Sequence, residues 1–138
     1  METDYLKLAE ETARKYHKGQ KRLGGSDYII HLQGVVKLIR KDMIGLKIVA
    51  WLHDILEDTP MTKEKLLKLG FDKGLIKSVV IITREEDENY LDYILRCSKD
   101  EIAKEVKIAD LTNNLSNLKR GSLKDKYLLA HYILKNEE

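Results

Sequence analysis

Residues 44–58, IGLKIVAWLHDILED, constrain the fold of this chain more than any other stretch. Nine of the first thirteen residues are large or branched apolar residues, alanine or tryptophan, and they leave almost no polar face. A helix that is apolar nearly all round is usually buried. The residue before a proline disfavours helical backbone, so Thr59-Pro60 ends the element. We therefore predict one buried helix over 44–58, with the rest of the chain packed around it.

Polar and charged side chains are concentrated at the end of this predicted helix. Within six positions it carries an imidazole and three carboxylates: His53, Asp54, Glu57 and Asp58. A continuous helix places His53 and Glu57 on one face, one turn apart, and does the same for Asp54 and Asp58. Two like charges about 4 Å apart repel by about 4 kcal/mol at an effective dielectric constant near 20. A partly buried cluster of this kind needs a compensating cation, and imidazole with carboxylate is a normal ligand set for Mn, Fe, Ni or Zn.

The alternative is an acidic helix end that faces solvent. That interpretation accounts for Glu57 and Asp58, which directly precede the helix terminator. It does not account for His53-Asp54, because Leu52 and Ile55 flank the pair. The sequence therefore favours a functional site.

The composition predicts an all-α fold, a single compact helical bundle. The chain has 138 residues, enough for one domain (1–138) with one core. It contains one proline and eight glycines, and alternating β-branched runs are scarce. Helical spacing of apolar residues predicts helices over about 3–18, 27–41, 44–58, 62–70, 72–82, 90–97 and 98–121, and a last helix opened by Ser122. Expected N-caps are Thr62, Asp72 and a capping box of Ser98 and Glu101. A charged loop is expected over 83–89.

Charge and hydrophobicity exclude several classes of function. The net charge is +2, from 25 basic and 23 acidic residues, whereas a dedicated nucleic-acid binder has a strong basic excess. No apolar run has the length of a membrane span, and the first residues do not form a signal peptide. The single cysteine, Cys97, rules out an internal disulfide and a Cys-rich zinc motif. We expect a cytoplasmic protein with no nucleic-acid or membrane partner.

Two further polar residues lie on predicted core helices. A lone histidine such as His31, among apolar residues of the second helix, is more often a satisfied core residue than a ligand. It becomes a candidate ligand because the next helix presents His53-Asp54. Asp110 falls within the apolar phase of the long helix, with Asn114 one turn on, and buried polar side chains need partners. Lys107, three residues before Asp110, offers the simpler alternative of an ion pair on the helix surface.

The order His … His-Asp … Asp resembles the metal-site pattern of the HD superfamily of metal-dependent phosphohydrolases. The resemblance is closest to the ppGpp (alarmone) hydrolase domain of the RelA/SpoT homologues, including the small stand-alone hydrolases, and it runs from about residue 9 to about residue 118. The matching segments are Gly19-Gln20-Lys21-Arg22, Tyr28-Ile29-Ile30-His31, Leu52-His53-Asp54-Ile55-Leu56-Glu57-Asp58-Thr59, Val106-Lys107-Ile108-Ala109-Asp110 and Asn114-Leu115.

The resemblance implies roles for eight residues. Four match the metal ligands of the family, whose metal is commonly Mn²⁺: His31, His53, Asp54 and Asp110. Two match the acidic pair that orients and deprotonates the attacking water: Glu57 and Asp58. Two match residues that contact the nucleotide, an arginine packed on the base and an asparagine in the pocket: Arg22 and Asn114. The implied reaction is hydrolysis of ppGpp to a guanosine nucleotide (GDP, or GTP from the pentaphosphate) and pyrophosphate.

Three departures from the family pattern affect the substrate pocket. The segment between Thr83 and Ser98 is shorter and more acidic than in the long alarmone hydrolases. Asp27 stands where the family usually has proline, and Ser116 stands where it often has arginine. The sequence therefore leaves two alternatives open beside the alarmone hydrolase: a nucleotidase of the HD type, and a non-catalytic domain that senses a nucleotide. A purely structural helical domain is a third. A synthetase domain does not fit in 138 residues, so alarmone synthesis is not expected.

Overall fold

The computed structural model describes residues 2–22, 24–118 and 121–136. These residues form helices and no β-strand, so the all-α prediction is confirmed; the only strand-like feature among them is a bridge between Lys21 and Asp27. None of the helices in this part of the chain combines the length and the apolar character needed to cross a bilayer. The helices are α1 (Glu2–Tyr16), α2 (Tyr28–Lys37), α3 (Ile44–Leu52), α4 (Ile55–Asp58), α5 (Lys63–Lys68), α6 (Lys73–Ile82), α7 (Tyr90–Ser98), α8 (Glu101–Ser116) and α9 (Ser122–Asn136).

Helix α3 lies at the centre of the bundle, as its apolar sequence predicts. Its last five residues, Ile48 to Leu52, are all buried. It packs against α1, α2, α6 and α8. Burying one side chain of the size of valine or leucine contributes about 1.5–3 kcal/mol, so this run alone is a major part of the core. The residues that follow it are thereby carried into the interior.

The predicted helix over 44–58 is interrupted at His53-Asp54, and the prediction of one continuous element is wrong. Helix α3 ends at Leu52, and α4 begins at Ile55. The Ala50 carbonyl, which accepts the Asp54 N–H in a continuous helix, accepts the ring Nδ1–H of His53 at 2.7 Å. Asp54 has φ −108° and ψ 0°, outside ordinary helical values, and becomes the N-cap of α4. The break turns His53 and Asp54 towards a common point.

Side-chain caps define the starts of four other helices: α5, α6, α7 and α8. Thr62 and Asp72 accept backbone N–H groups at the starts of α5 and α6, which confirms both predicted caps. The capping box of Ser98 and Glu101 is wrong. Ser98 is the last residue of α7, and Asp100 caps α8 by accepting a backbone N–H of its first turn at 2.9 Å. Aspartate in extended backbone is a strong N-cap, so the helix starts two residues later than predicted.

Helix α8 also ends before Gly121, the predicted terminator. Its last residue is Ser116. Ser116 Oγ and Asn117 Nδ2 both donate to the Asn113 carbonyl, at 2.6 and 2.9 Å. Such local side-chain bonds satisfy a carbonyl of the last turn and compete with further helix. Helix α8 therefore ends five residues before Gly121.

Candidate metal centre and substrate cavity

Three parts of the fold bring together the four residues that the sequence predicts as metal ligands. His31 comes from α2, His53 and Asp54 from the α3–α4 junction, and Asp110 from α8. The Nε2 atom of His31 lies 2.8 Å from Asp110 Oδ1, and Nε2 of His53 lies 3.3 Å from the same oxygen. His53 Nε2 is also 3.1 Å from Asp54 Oδ2. His31, His53 and Asp110 are buried, and Asp54 is largely so.

Both imidazoles are oriented by a hydrogen bond at Nδ1. His31 Nδ1 bonds to Asn113 Oδ1 at 2.7 Å, and His53 Nδ1 bonds to the Ala50 carbonyl at 2.7 Å. With the proton on Nδ1, each Nε2 presents a lone pair to the cluster, as in histidines that bind metals. Sequence analysis missed Asn113, although its position three residues after Asp110 on the same helix was an available signal.

The donor set fits a divalent cation. His53 Nε2 is buried and makes no hydrogen bond of good geometry, although two carboxylate oxygens lie within 3.3 Å of it. A lone pair that faces carboxylate oxygens is repelled unless a cation lies between them. The pKa of Asp54 is raised well above its usual range, first by burial and then by the charge of Asp110. The protein therefore does not fully compensate the negative charge of the Asp54 carboxylate.

Lys107 compensates the other buried carboxylate. Its ammonium donates to Asp110 Oδ2 at 2.9 Å, and both side chains are buried. Burial alone would raise the pKa of Asp110, but that pKa is held well below its usual range, chiefly by the positive charge of Lys107. The ion pair that the sequence offered as an alternative is thus present, but it lies inside the cluster: one oxygen of Asp110 faces Lys107 and the other faces the imidazoles. The Tyr28 hydroxyl donates to Asp54 Oδ2, the oxygen that also faces His53 Nε2.

Glu57 and Asp58 lie beside this cluster on the short helix α4. Carboxylate oxygens of Asp54, Glu57 and Asp58 lie within 4.8 Å of one another. Both residues are exposed, but the carboxyl group of Glu57 is partly desolvated. This desolvation, followed by the charge of Asp58, raises the pKa of Glu57. Glu57 Oε1 accepts the backbone N–H of Arg84 at 3.1 Å.

Two adjoining cavities open beside these groups. A cavity of about 250 Å³ is lined by the acidic residues of the cluster, His31 and Lys107. A larger one of about 510 Å³, in the range of small-molecule pockets, extends towards the end of α8 and the start of α9. Both are lined by Arg22, Tyr28, Asn114 and Tyr127, and Arg22 donates to Asn114 Oδ1 at 2.8 Å. The structure thus brings the two predicted nucleotide-contacting residues into contact. Tyr127 was not singled out, because its spacing in α9 is that of an ordinary packing residue.

The chain was compared with known proteins. No protein-family model matches it. A guanosine-3′,5′-bis(diphosphate) 3′-pyrophosphohydrolase from Haemophilus influenzae is 35% identical over 125 residues, which cover 81% of this chain and 18% of the relative. The enzyme of that name from Aquifex aeolicus is 35% identical over 123 residues, covering 82% and 18%. The bifunctional (p)ppGpp synthase/hydrolase SpoT of Escherichia coli K12 is 30% identical over 132 residues, covering 86% and 18%. The chain therefore spans about a fifth of the length of these relatives.

A solved structure agrees with the fold. It comes from work on a metazoan orthologue of SpoT that hydrolyses ppGpp, and it superposes with a TM-score of 0.75 at 22% identity, covering 94% of this chain and 83% of the other. The chain therefore shares the fold of that solved structure. Over most of its own length, it is similar in sequence to ppGpp hydrolases.

Two of the departures noted in the sequence have visible consequences in the structure. The Asp27 carboxylate pairs with the ammonium of Lys21, a residue that lines the larger cavity. Ser116 is bonded to the Asn113 carbonyl at the exposed end of α8 and supplies no positive charge there. The pairing of Asp27 with Lys21 therefore reduces the positive charge available around the larger cavity.

Proposed function

We propose that this chain is an HD-type, metal-dependent phosphohydrolase that acts on a nucleotide, and that it hydrolyses the 3′-pyrophosphate of a ppGpp-like alarmone. The products are GDP or GTP and pyrophosphate. One observation carries the proposal: His31, His53, Asp54 and Asp110 converge next to an exposed acidic pair, and the resulting pocket adjoins a cavity of about 510 Å³. The names of the related enzymes support the choice of ppGpp.

The four converging residues would hold the divalent cation, with Nε2 of each histidine and one oxygen of each aspartate as donors. We propose Mn²⁺, which this ligand set suits. A bound divalent cation supplies Lewis acidity at a phosphoryl oxygen and lowers the pKa of water. Lys107 bonds to Oδ2 of Asp110, which leaves Oδ1 facing the imidazoles, and the Tyr28 hydroxyl donates to Oδ2 of Asp54.

Glu57 is the proposed general base. It is exposed to the cavity, so water reaches it, and its raised pKa makes it a better proton acceptor than an ordinary carboxylate. The Arg84 N–H leaves one carboxylate oxygen of Glu57 available to accept the proton of the attacking water. Asp58, one residue on, keeps the pKa of Glu57 raised and orients the same water. Hydrolysis then places the hydroxyl group on the departing pyrophosphate and the proton on the 3′ oxygen.

Arg22 and Asn114 are proposed to bind the nucleoside part of the substrate. Their mutual hydrogen bond fixes the plane of the guanidinium beside the larger cavity. A planar guanidinium stacks well on a base. With the nucleoside held there, the phosphate groups extend towards the acidic cluster and its cation.

A second candidate, a nucleotidase that removes a single phosphate, is favoured by one contact. The pairing of Asp27 with Lys21 neutralises a cation beside the cavity, which disfavours a substrate with several phosphates. This candidate shares the metal and the base with the first. The two reactions differ in their second product, orthophosphate or pyrophosphate.

The test is a turnover assay of the purified protein with Mn²⁺ or after chelation. The substrates are ppGpp and a panel of nucleoside and deoxynucleoside monophosphates. Release of pyrophosphate from ppGpp, lost on chelation, is the expected result. Orthophosphate from a monophosphate would instead establish the nucleotidase. If metal is bound and no nucleotide is turned over, the hydrolase proposal fails, and tight binding of ppGpp without turnover would identify a sensor.

A further inference from the structure

The charged loop at 83–89, between α6 and α7, contacts the proposed general base directly. Arg84 donates its main-chain N–H to Glu57 Oε1 at 3.1 Å, across 27 residues of sequence. The rest of the loop is strongly acidic, with four consecutive carboxylates at 85–88. Runs of like charge repel one another and favour open conformations. Something must therefore hold this loop against Glu57, which is itself negatively charged.

Glu88 links the two ends of the loop by hydrogen bonds. Its carbonyl accepts two bonds from the Arg84 guanidinium, from Nε at 3.1 Å and from the terminal nitrogen at 2.9 Å. Its carboxylate accepts the Glu85 N–H at 3.2 Å. The loop thus closes on itself around Glu88, with Arg84 at one end and its N–H directed at Glu57.

Arg96, on α7, attaches this closed loop to the core. Its guanidinium donates to both carboxylate oxygens of Glu88, at 2.9 and 2.7 Å. It also donates to the Ile81 carbonyl at 2.6 Å and to the Thr83 carbonyl at 3.1 Å, at the end of α6. A planar guanidinium makes these four bonds together, whereas an ammonium cannot match the same geometry.

We propose that Arg96 and Glu88 are positioning residues for Glu57, acting through the main-chain N–H of Arg84. They hold the 83–89 loop so that one oxygen of Glu57 is bonded and the other faces the cavity. The inference rests on the proposed role of Glu57 in hydrolysis. Its structural part, that Arg96 keeps the Arg84 N–H on Glu57, is testable without activity.

Amide hydrogen exchange measured by NMR tests that structural part. In the wild-type protein the Arg84 amide should exchange slowly. Glu57→Ala should speed its exchange about tenfold or more, because the acceptor is lost. Arg96→Gln should have the same effect at Arg84, whereas Arg40→Gln, which changes an exposed arginine paired with Asp42 at the surface, should have none. An Arg84 amide that exchanges at the wild-type rate in Arg96→Gln overturns the proposal.

Kinetics then test the consequence for catalysis. We expect Arg96→Gln to lower kcat about 10- to 100-fold, a part of what a well-placed general base contributes, with KM and bound metal unchanged. Arg96→Lys should recover little, because the charge returns without the four-bond geometry. A substitution that merely destabilised the fold would instead lower the bound metal and the fraction of active protein together. Either that result or an unchanged kcat would contradict the proposal that Arg96 positions Glu57.

A pair of substitutions at Arg84 separates main chain from side chain. Arg84→Pro removes the N–H, and Thr83 before it already has the extended backbone that proline requires (ψ 119°). Arg84→Ala keeps the N–H. The proposal requires the proline variant to lose more kcat than the alanine variant, and equal losses would refute it.

If Arg96→Gln does not fold, Glu88→Gln takes its place in both measurements, because it removes one hydrogen-bond partner of Arg96. If the wild-type protein turns over no nucleotide, the proposed function fails while the exchange experiment still decides the structural part.

Discussion

Lys107→Met removes the charge that compensates Asp110 while it keeps an apolar side chain of similar length. Lys107 Nζ lies 2.9 Å from Asp110 Oδ2, and the exposed fractions of the two side chains are 13% and 6%. At that distance the attraction is about 6 kcal/mol for an effective dielectric constant near 20. Removing one partner of a buried pair leaves the other uncompensated and costs about 3–5 kcal/mol. We expect that loss in the free energy of unfolding of the metal-free protein.

Bound Mn²⁺ should reduce this cost, because the cation itself compensates Asp110. If the loss is smaller by about 1.4 kcal/mol in saturating Mn²⁺, thermodynamic linkage requires the variant to bind Mn²⁺ about tenfold more tightly than the wild-type protein. The variant is then less stable and yet has the higher metal affinity. A purely structural lysine would not couple the two quantities.

The assay is urea unfolding with EDTA and with saturating MnCl₂, together with calorimetric titration of the metal-free protein with Mn²⁺. Arg40→Met is the matched control, since its pair with Asp42 is exposed and should change the free energy of unfolding by less than about 0.5 kcal/mol. Equal losses for Lys107→Met in EDTA and in Mn²⁺ would refute the coupling. A loss below about 1 kcal/mol in EDTA would show that the buried pair does not hold the site together.

The remaining predictions concern four side chains. Asp54→Ala should abolish metal retention, measured by elemental analysis, whereas Glu57→Gln should keep the metal and lose turnover; metal loss in both would contradict the role of Glu57. Arg22→Ala should raise KM about tenfold with a smaller effect on kcat, since it removes nucleoside binding away from the reacting bond, and steady-state kinetics check this. Arg96 holds the pKa of Glu88 below its usual value. The Arg96–Glu88 pair therefore stabilises the fold above about pH 4.3, the pKa of glutamate in the unfolded chain. This stabilisation is lost as the pH falls through the lower pKa that Glu88 has in the folded protein. Glu88→Gln should be less stable than wild type near about pH 6 and match it below about pH 3, by urea unfolding; a difference that persists in acid would argue against this assignment.

Several parts of the site were predictable from residue type and spacing. His31, His53, Asp54 and Asp110 stand out because each is polar within an apolar helical phase, and a buried polar group requires a partner. The partners themselves were only partly predictable. Lys107 was recognised as a partner of Asp110, but Asn113, which orients His31, was not. It is one amide among several near the end of α8, and only tertiary packing decides which of them faces the imidazole.

The sequence by itself determined the all-α class, the buried position of the 48–52 run and the set of side chains that gather around it. Apolar periodicity, scarcity of proline and the embedding of charged residues in apolar segments express those features locally. Only the tertiary structure decided that the helix breaks at His53-Asp54 and that the 83–89 loop reaches Glu57. Both depend on hydrogen bonds outside the regular helical pattern. The His53 ring Nδ1–H donates to the Ala50 carbonyl, and the Arg84 main-chain N–H donates to the Glu57 carboxylate, 27 residues away in sequence. Periodicity reports which face of an element is buried, and it carries no information about which distant donor meets a given acceptor.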